Sequence, residues 1–210
     1  KPAQTGVGPG EPGDLHEVCR LAGVIGVAPD DGPPADGAAR VTAYEGVRLR
    51  DPLAPAAAAR REGVPLPTVA EHARGIALLS ATHDAILVEG AGGLLVELDS
   101  AGGTLADLAQ HLQARCEDVG VVLVSAPGLG TLNHTALTAE ALRARSLPLV
   151  GVLVGSWPHP PEQPDLAMTE NLTDLPRAAG APLLGVIPDG AGALLPAEFV
   201  ATASSWLTRD

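Results

Sequence analysis

The chain opens Lys1-Pro2-Ala3-Gln4-Thr5-Gly6, and Lys1 is the one lysine among its thirteen lysine and arginine residues. A compact ammonium on a flexible stem makes a point contact with anions, where arginine's planar fork favours bidentate pairing. The proline beside it stiffens the backbone that would aim it. Read alone, the same lysine is also an ordinary solvated charge. A second candidate is "ILVEGAGG" (86–93), where Glu89 ends an apolar run and Gly90, Ala91 and Gly92 follow at once. A carboxylate there is well placed to hold Mg²⁺ on a nucleotide, because this hard cation takes one or two carboxylates and completes its shell with phosphate oxygens and water. The alternative is a surface glutamate that merely opens a glycine turn. A third is "PGLGTLNHT" (127–135), glycines ahead of a helix start. Free backbone N–H groups and the positive end of the helix dipole make such a place an anion site, for carboxylate or phosphate alike. Taken alone it reads first as an ordinary strand–helix loop with Thr131 or Asn133 as cap. Asp14, ahead of "LHEVCRLAG", is either an N-cap or a second metal carboxylate.

Composition narrows the chemistry. A formal net charge of −12 argues against binding a phosphate backbone. Aromatic residues, at 2%, are too few for a single-strand stacking platform. Small metabolites remain, with no nucleic acid and no membrane among the expected partners. No apolar run approaches the ~18–20 residues that span a bilayer. Cys19 and Cys116 stand far apart with no C-x-x-C spacing, which suits free thiols in a reducing cytoplasm. The six histidines form no zinc-ligand pattern, and no G-x-S-x-G or S-x-x-K supports a serine hydrolase.

The elements that must position these residues follow from periodicity. Apolar runs at 85–90, 121–128, 148–155 and 182–188 read as strands covered on both faces, as parallel strands between helical layers are. Between them lie helical stripes. In "TLADLAQHLQAR" Leu105, Leu108, Ala109 and Leu112 share one face, with Thr104 as N-cap and Asp107 three residues on. Thr68 and Glu71 stand at capping-box spacing. Residues 133–145 fill the gap after the second run. Leu15, Val18, Cys19 and Ala22 make a stripe that Gly23 ends. The whole reads as one α/β domain over 1–210, a doubly wound, mostly parallel sheet. Ligands in such sheets bind beyond the carboxyl ends of the strands, where the Glu89 loop, the 127–133 loop, Gly155-Ser156 and Pro188-Asp189-Gly190 all fall.

In order, "KPAQTG", an acidic residue before a helix, "VEGAGGLLVEL", "LGTLNHTALTAEAL", "VGSWP" and "GVIPDGA" resemble dethiobiotin synthetase in an actinobacterial-type version. The resemblance implies a P-loop NTPase-like homodimer that uses ATP, Mg²⁺ and CO₂ to close a ureido ring on 7,8-diaminopelargonate. A carbamate of one amine attacks the γ-phosphate, and the second amine displaces phosphate from the mixed anhydride. Carried over by position, Lys1 is the catalytic lysine, Thr5 contacts the diamine or its carbamate, and Asp14 and Glu89 are the metal carboxylates. Glu89, Gly90, Ala91 and Gly92 line the phosphates, as Gly155, Ser156, Pro188, Asp189 and Gly190 surround the adenine. Leu132 and Asn133 grip the substrate carboxylate of the partner subunit. The family's G-x-x-x-x-G-K-S/T loop does not occur in these 210 residues. The expectation is therefore that the first strand and P-loop precede Lys1, and that this chain alone is inactive. Gly155-Ser156 stands where many relatives carry an amide. A cobyrinate-type amidoligase and a non-catalytic nucleotide-binding regulatory domain are the alternatives.

Overall fold

The computed structural model describes residues 1–23, 41–116 and 118–208. The chain forms two compact units, Lys1–Asp118 and Val119–Asp210.

In the first unit β1 (Ala3–Gln4) pairs in parallel with β2 (Val47–Arg48), Ala3 opposite Val47 and Gln4 opposite Arg48. Among the described residues this ribbon is accompanied by α1 (Asp14–Leu21), α2 (Pro55–Glu62), α3 (Val69–Leu79) and α4 (Leu105–Gln113). Helices α3 and α4 both begin with the expected capping boxes, Thr68 with Glu71 and Thr104 with Asp107. In each, the hydroxyl and the carboxylate satisfy each other's orphaned backbone donors. Leu108 and Leu112 of the anticipated α4 stripe are buried, and α3 packs against α4. Helix α2 starts on a proline and stops where Gly63 turns left-handed, the usual asymmetry of helix ends. Leu49, Ala58 and Ala59 form a small core with Val47, Val64 and Leu66 around them.

One strand expectation fails. Residues 85–90 belong to no ladder, and Leu87 is 94% exposed. An apolar run records what a segment needs to bury. A strand additionally needs a second backbone alongside to take its N–H and C=O groups, and no described strand runs beside this one.

The second unit is a parallel sheet in the order β3-β4-β5, made of β3 (Val121–Ser125), β4 (Leu149–Trp157) and β5 (Leu183–Pro188). Helices α5 (Thr131–Arg143) and α6 (Leu166–Ala179) are the crossovers and pack on each other. Helix α7 (Pro196–Thr202) follows. Val152 and Val154, on one face of β4, are fully buried, but Val150 of β4 and Val122 and Val124 of β3 are exposed, so the expected cover on both faces is incomplete for both strands. The chain after α7 returns to β5, with Thr208 N–H donating to the Leu184 carbonyl at 2.8 Å. A Cβ on Gly185 would stand 2.3 Å from the Trp206 carbonyl oxygen, so only glycine admits that approach. Helix α5 starts at Thr131 with Gly130 at its cap in the left-handed region, and neither Thr131 nor Asn133 is the cap. Among the described residues no helix is long and apolar enough to cross a membrane.

Candidate active site

Lys1 lies at the start of β1, and β2 fixes its backbone. Gly46 N–H donates to the Lys1 carbonyl at 3.0 Å and Val47 N–H to the Pro2 carbonyl at 3.1 Å. The fit depends on Gly46, whose Cβ, if it had one, would lie 2.5 Å from the Pro2 oxygen and 2.6 Å from Cε1 of buried His72. From this platform the Lys1 Nζ meets Asp14 Oδ2 at 2.5 Å, Glu89 Oε1 at 2.9 Å and the Gly90 carbonyl at 3.2 Å. The lysine side chain is only 5% exposed, whereas Asp14 is 47% and Glu89 65% exposed. Burial alone would favour a neutral amine. The hydrogen bonds and charges of Asp14 and Glu89 outweigh it and hold the Lys1 pKa above its ordinary value. The group is therefore a fixed cation at neutral pH, not a base.

Asp14 is the first residue of α1, and Gly13 holds the cap position. The aspartate is thus not an N-cap, and its carboxylate is turned to Lys1. Its backbone N–H donates to Gln4 Oε1 at 3.0 Å, a partner that sequence reading missed. Arg48 was missed as well. It clasps Glu45 through two bonds of 2.7 and 3.0 Å and reaches the Gly8 and Glu11 carbonyls, which ties the 7–13 loop to β2. On the other side Gly92 and Gly93 take left-handed φ values of +83° and +120°, and this turn carries the chain from Glu89 towards α4. A further anchor is Asp99, 2% exposed, which accepts N–H groups from Val69, Ala101 and Gly103 at 2.8–2.9 Å. Burial pushes towards the neutral acid, yet these donors prevail and keep its carboxyl below the ordinary range. Two of these donors are local, two and four residues on, whereas the Val69 N–H is 30 positions away and has no local signal.

In the second unit Leu132 and Asn133 occupy the first turn of α5, just beyond β3. Buried Asn171 of α6 donates to the Pro127 carbonyl at 2.7 Å and to that of Gly128 at 3.1 Å, holding the glycine loop ahead of that turn. Gly155 and Ser156 lie just before the last residue of β4, with Ser156 left-handed at φ +51°. Trp157 pairs with Pro188, and Asp189 N–H donates to the Trp157 carbonyl at 2.7 Å. The structure therefore lays the 155–157 and 188–190 stretches side by side. Thr5, directly after β1, is half-buried, and its carbonyl accepts from Gln4 Nε2 at 3.2 Å.

Residues 37–192 match a family model described as an AAA domain. The ATP-dependent dethiobiotin synthetase BioD of Streptomyces avermitilis is 52% identical over 207 residues, covering 99% of this chain and 77% of that protein. The BioD proteins of Streptomyces coelicolor and Rhodococcus jostii are 51% and 47% identical, again over 98% or more of this chain. The chain belongs to the dethiobiotin synthetase family. Its α/β architecture of parallel sheets agrees with an AAA-type P-loop fold.

Members of this family are ATP-dependent by name, which raises the question of a metal. Among the described residues no group of three or more His, Cys, Asp or Glu gathers as a protein-only metal cage. Asp14 and Glu89 nevertheless each aim an oxygen at one shared point, presently the Lys1 ammonium. Two carboxylates converging on a cation fit Mg²⁺, which draws its remaining ligands from phosphate and water.

Proposed function

We propose that this chain serves the reaction named in its relatives, ATP-dependent dethiobiotin synthesis, as part of the full-length enzyme. Its substrates are then 7,8-diaminopelargonate, CO₂ and ATP, and its products dethiobiotin, ADP and phosphate. The observation that carries the reading is the Lys1 ammonium seated between Asp14 and Glu89 and against the Gly90 carbonyl, within a chain 52% identical to a named synthetase.

In the reaction one substrate amine adds CO₂ and loses a proton to give a carbamate. A carbamate oxygen bonds to the γ-phosphorus as the bond to ADP breaks. The second amine then attacks the carbamoyl carbon, phosphate leaves, and the ring closes. Carbamate and γ-phosphate are both anionic, and their repulsion grows as they approach. Lys1, held protonated, offsets that repulsion and bears no proton-transfer duty. Asp14 and Glu89 would hold Mg²⁺, which when bound neutralises charge on the phosphate oxygens. Gly90, Ala91 and Gly92 offer backbone to the phosphates, and Thr5 offers its hydroxyl to the diamine or its carbamate. In the second unit Gly155 and Ser156, with Pro188, Asp189 and Gly190, surround the adenine. Leu132 and Asn133 take the far carboxylate of the substrate bound by a partner copy, so the working form is a homodimer. The two free cysteines agree with a cytoplasmic enzyme.

The test is turnover of 7,8-diaminopelargonate with bicarbonate and ATP by the full-length gene product, followed as phosphate and dethiobiotin released one for one. ATP hydrolysis that requires glutamine and a different acid would favour the amidoligase alternative. Nucleotide binding without turnover of any acid would favour a regulatory domain.

A further inference from the structure

The first turn of α1 is capped in an unusual way. Its cap residue, Gly13, has no side chain to accept the free N–H groups of the turn. The acceptor comes from Gln4, ten residues earlier and 4% exposed, whose Oε1 takes the Asp14 N–H at 3.0 Å. The same amide donates through Nε2 to the Thr5 carbonyl at 3.2 Å, and the Gln4 backbone carbonyl accepts from Leu49 N–H at 2.8 Å. One buried amide thus joins β1, the backbone of Thr5 and the residue whose carboxylate lies on Lys1. The space for it exists because position 13 is glycine. A Cβ there would stand 2.9 Å from Gln4 Oε1 and 3.2 Å from an Arg48 guanidinium nitrogen.

We propose that Gln4 is a positioning residue: its side-chain amide sets where the Asp14 carboxylate stands and thereby the divalent-metal affinity of the Asp14–Glu89 pair. The inference rests on the metal reading given under Proposed function. A buried amide with donor and acceptor both engaged has few ways to rotate, because turning it would leave a polar atom unpartnered at about 1–3 kcal/mol. Asp14 N and Cα move with that amide. A carboxylate two bonds further on is displaced by any shift of the helix start, and partners one step behind a metal ligand commonly change affinity by about 10- to 100-fold when removed.

Mn²⁺ binding by the full-length gene product in the presence of ADP, followed by electron paramagnetic resonance of the free ion, tests this without turnover. Two variants perturb the amide independently: Gln4→Met removes both of its bonds at equal length, and Gly13→Ala pushes it aside while leaving it intact. Measurements are made on protein that melts cooperatively, well below the midpoint. Each variant is expected to weaken Mn²⁺ binding by about tenfold, and a merely structural role would lower the melting midpoint without changing that affinity. If either folded variant binds Mn²⁺ within twofold of wild type, the role of Gln4 is refuted. If wild type itself binds no Mn²⁺, the metal reading fails and takes this inference with it.

Discussion

Replacing Lys1 by methionine removes the cation and keeps the length of the side chain. Asp14 Oδ2 and Glu89 Oε1 lie 2.5 Å and 2.9 Å from the one Nζ, so they are no farther apart than the sum of those distances. Two unit charges about 5 Å apart repel by about 1–3 kcal/mol for effective dielectric constants between water and a protein surface. Both carboxylates are about half or more exposed, which discounts the value towards ~1 kcal/mol, and the two lost ion pairs add at most a similar amount. For a chain of this size the melting midpoint should fall by roughly 3–6 °C. Millimolar Mg²⁺ should restore part of it in Lys1→Met, because the two carboxylates are then left without a cation between them. Turnover should fall far more, by about 10²–10³-fold, because the charge acts where anions converge in the transition state. Lys1→Arg is the control: it keeps the charge and most of the midpoint, yet loses turnover because a planar fork does not replace a point ammonium. Calorimetry with and without Mg²⁺, beside initial rates, measures both halves. A Lys1→Met enzyme with near-normal kcat, or a midpoint indifferent to both substitution and Mg²⁺, would refute the reasoning.

Glu89→Gln should raise the Mg²⁺ concentration needed for half-maximal rate by about tenfold with little change in melting; a large drop in midpoint with an unchanged Mg²⁺ titration would instead mark the residue as structural. Asn133→Ala should raise the KM for 7,8-diaminopelargonate and leave the KM for ATP within about twofold, consistent with a helix start that binds a carboxylate, and sedimentation should find a dimer; an active monomer would sink that arrangement. For Asp99 the folded pKa lies below the ordinary 3.8, so its stabilisation is present above that value and fades as pH falls through the depressed one. Asp99→Asn, with one buried and two partly buried N–H groups facing a poorer acceptor, should cost about 2 kcal/mol at pH 7 and flatten the pH dependence of melting below pH ~4. An equal acid slope in wild type and variant would remove Asp99 from the account.

The local features were legible in the sequence because their physics is local. The boxes of Thr68 with Glu71 and Thr104 with Asp107 close over three residues, and the apolar runs of β3, β4 and β5 with intervening helical stripes specify parallel crossovers before any contact is known. The family motifs singled out Lys1, Asp14 and Glu89, types that can neutralise anions or hold a hard cation. That the three meet at one ammonium was a matter for the tertiary structure, since Lys1 and Glu89 are 88 positions apart and no periodicity reaches that far. The same holds for Gln4 capping α1 and for Asn171 gripping the loop ahead of α5, because a side-chain amide carries no pattern that says which distant N–H or carbonyl it will meet. The 85–90 run marks the opposite case. Its apolarity states a need for burial, but a ladder is a property of two backbones, and only the folded chain decides whether the second one is there.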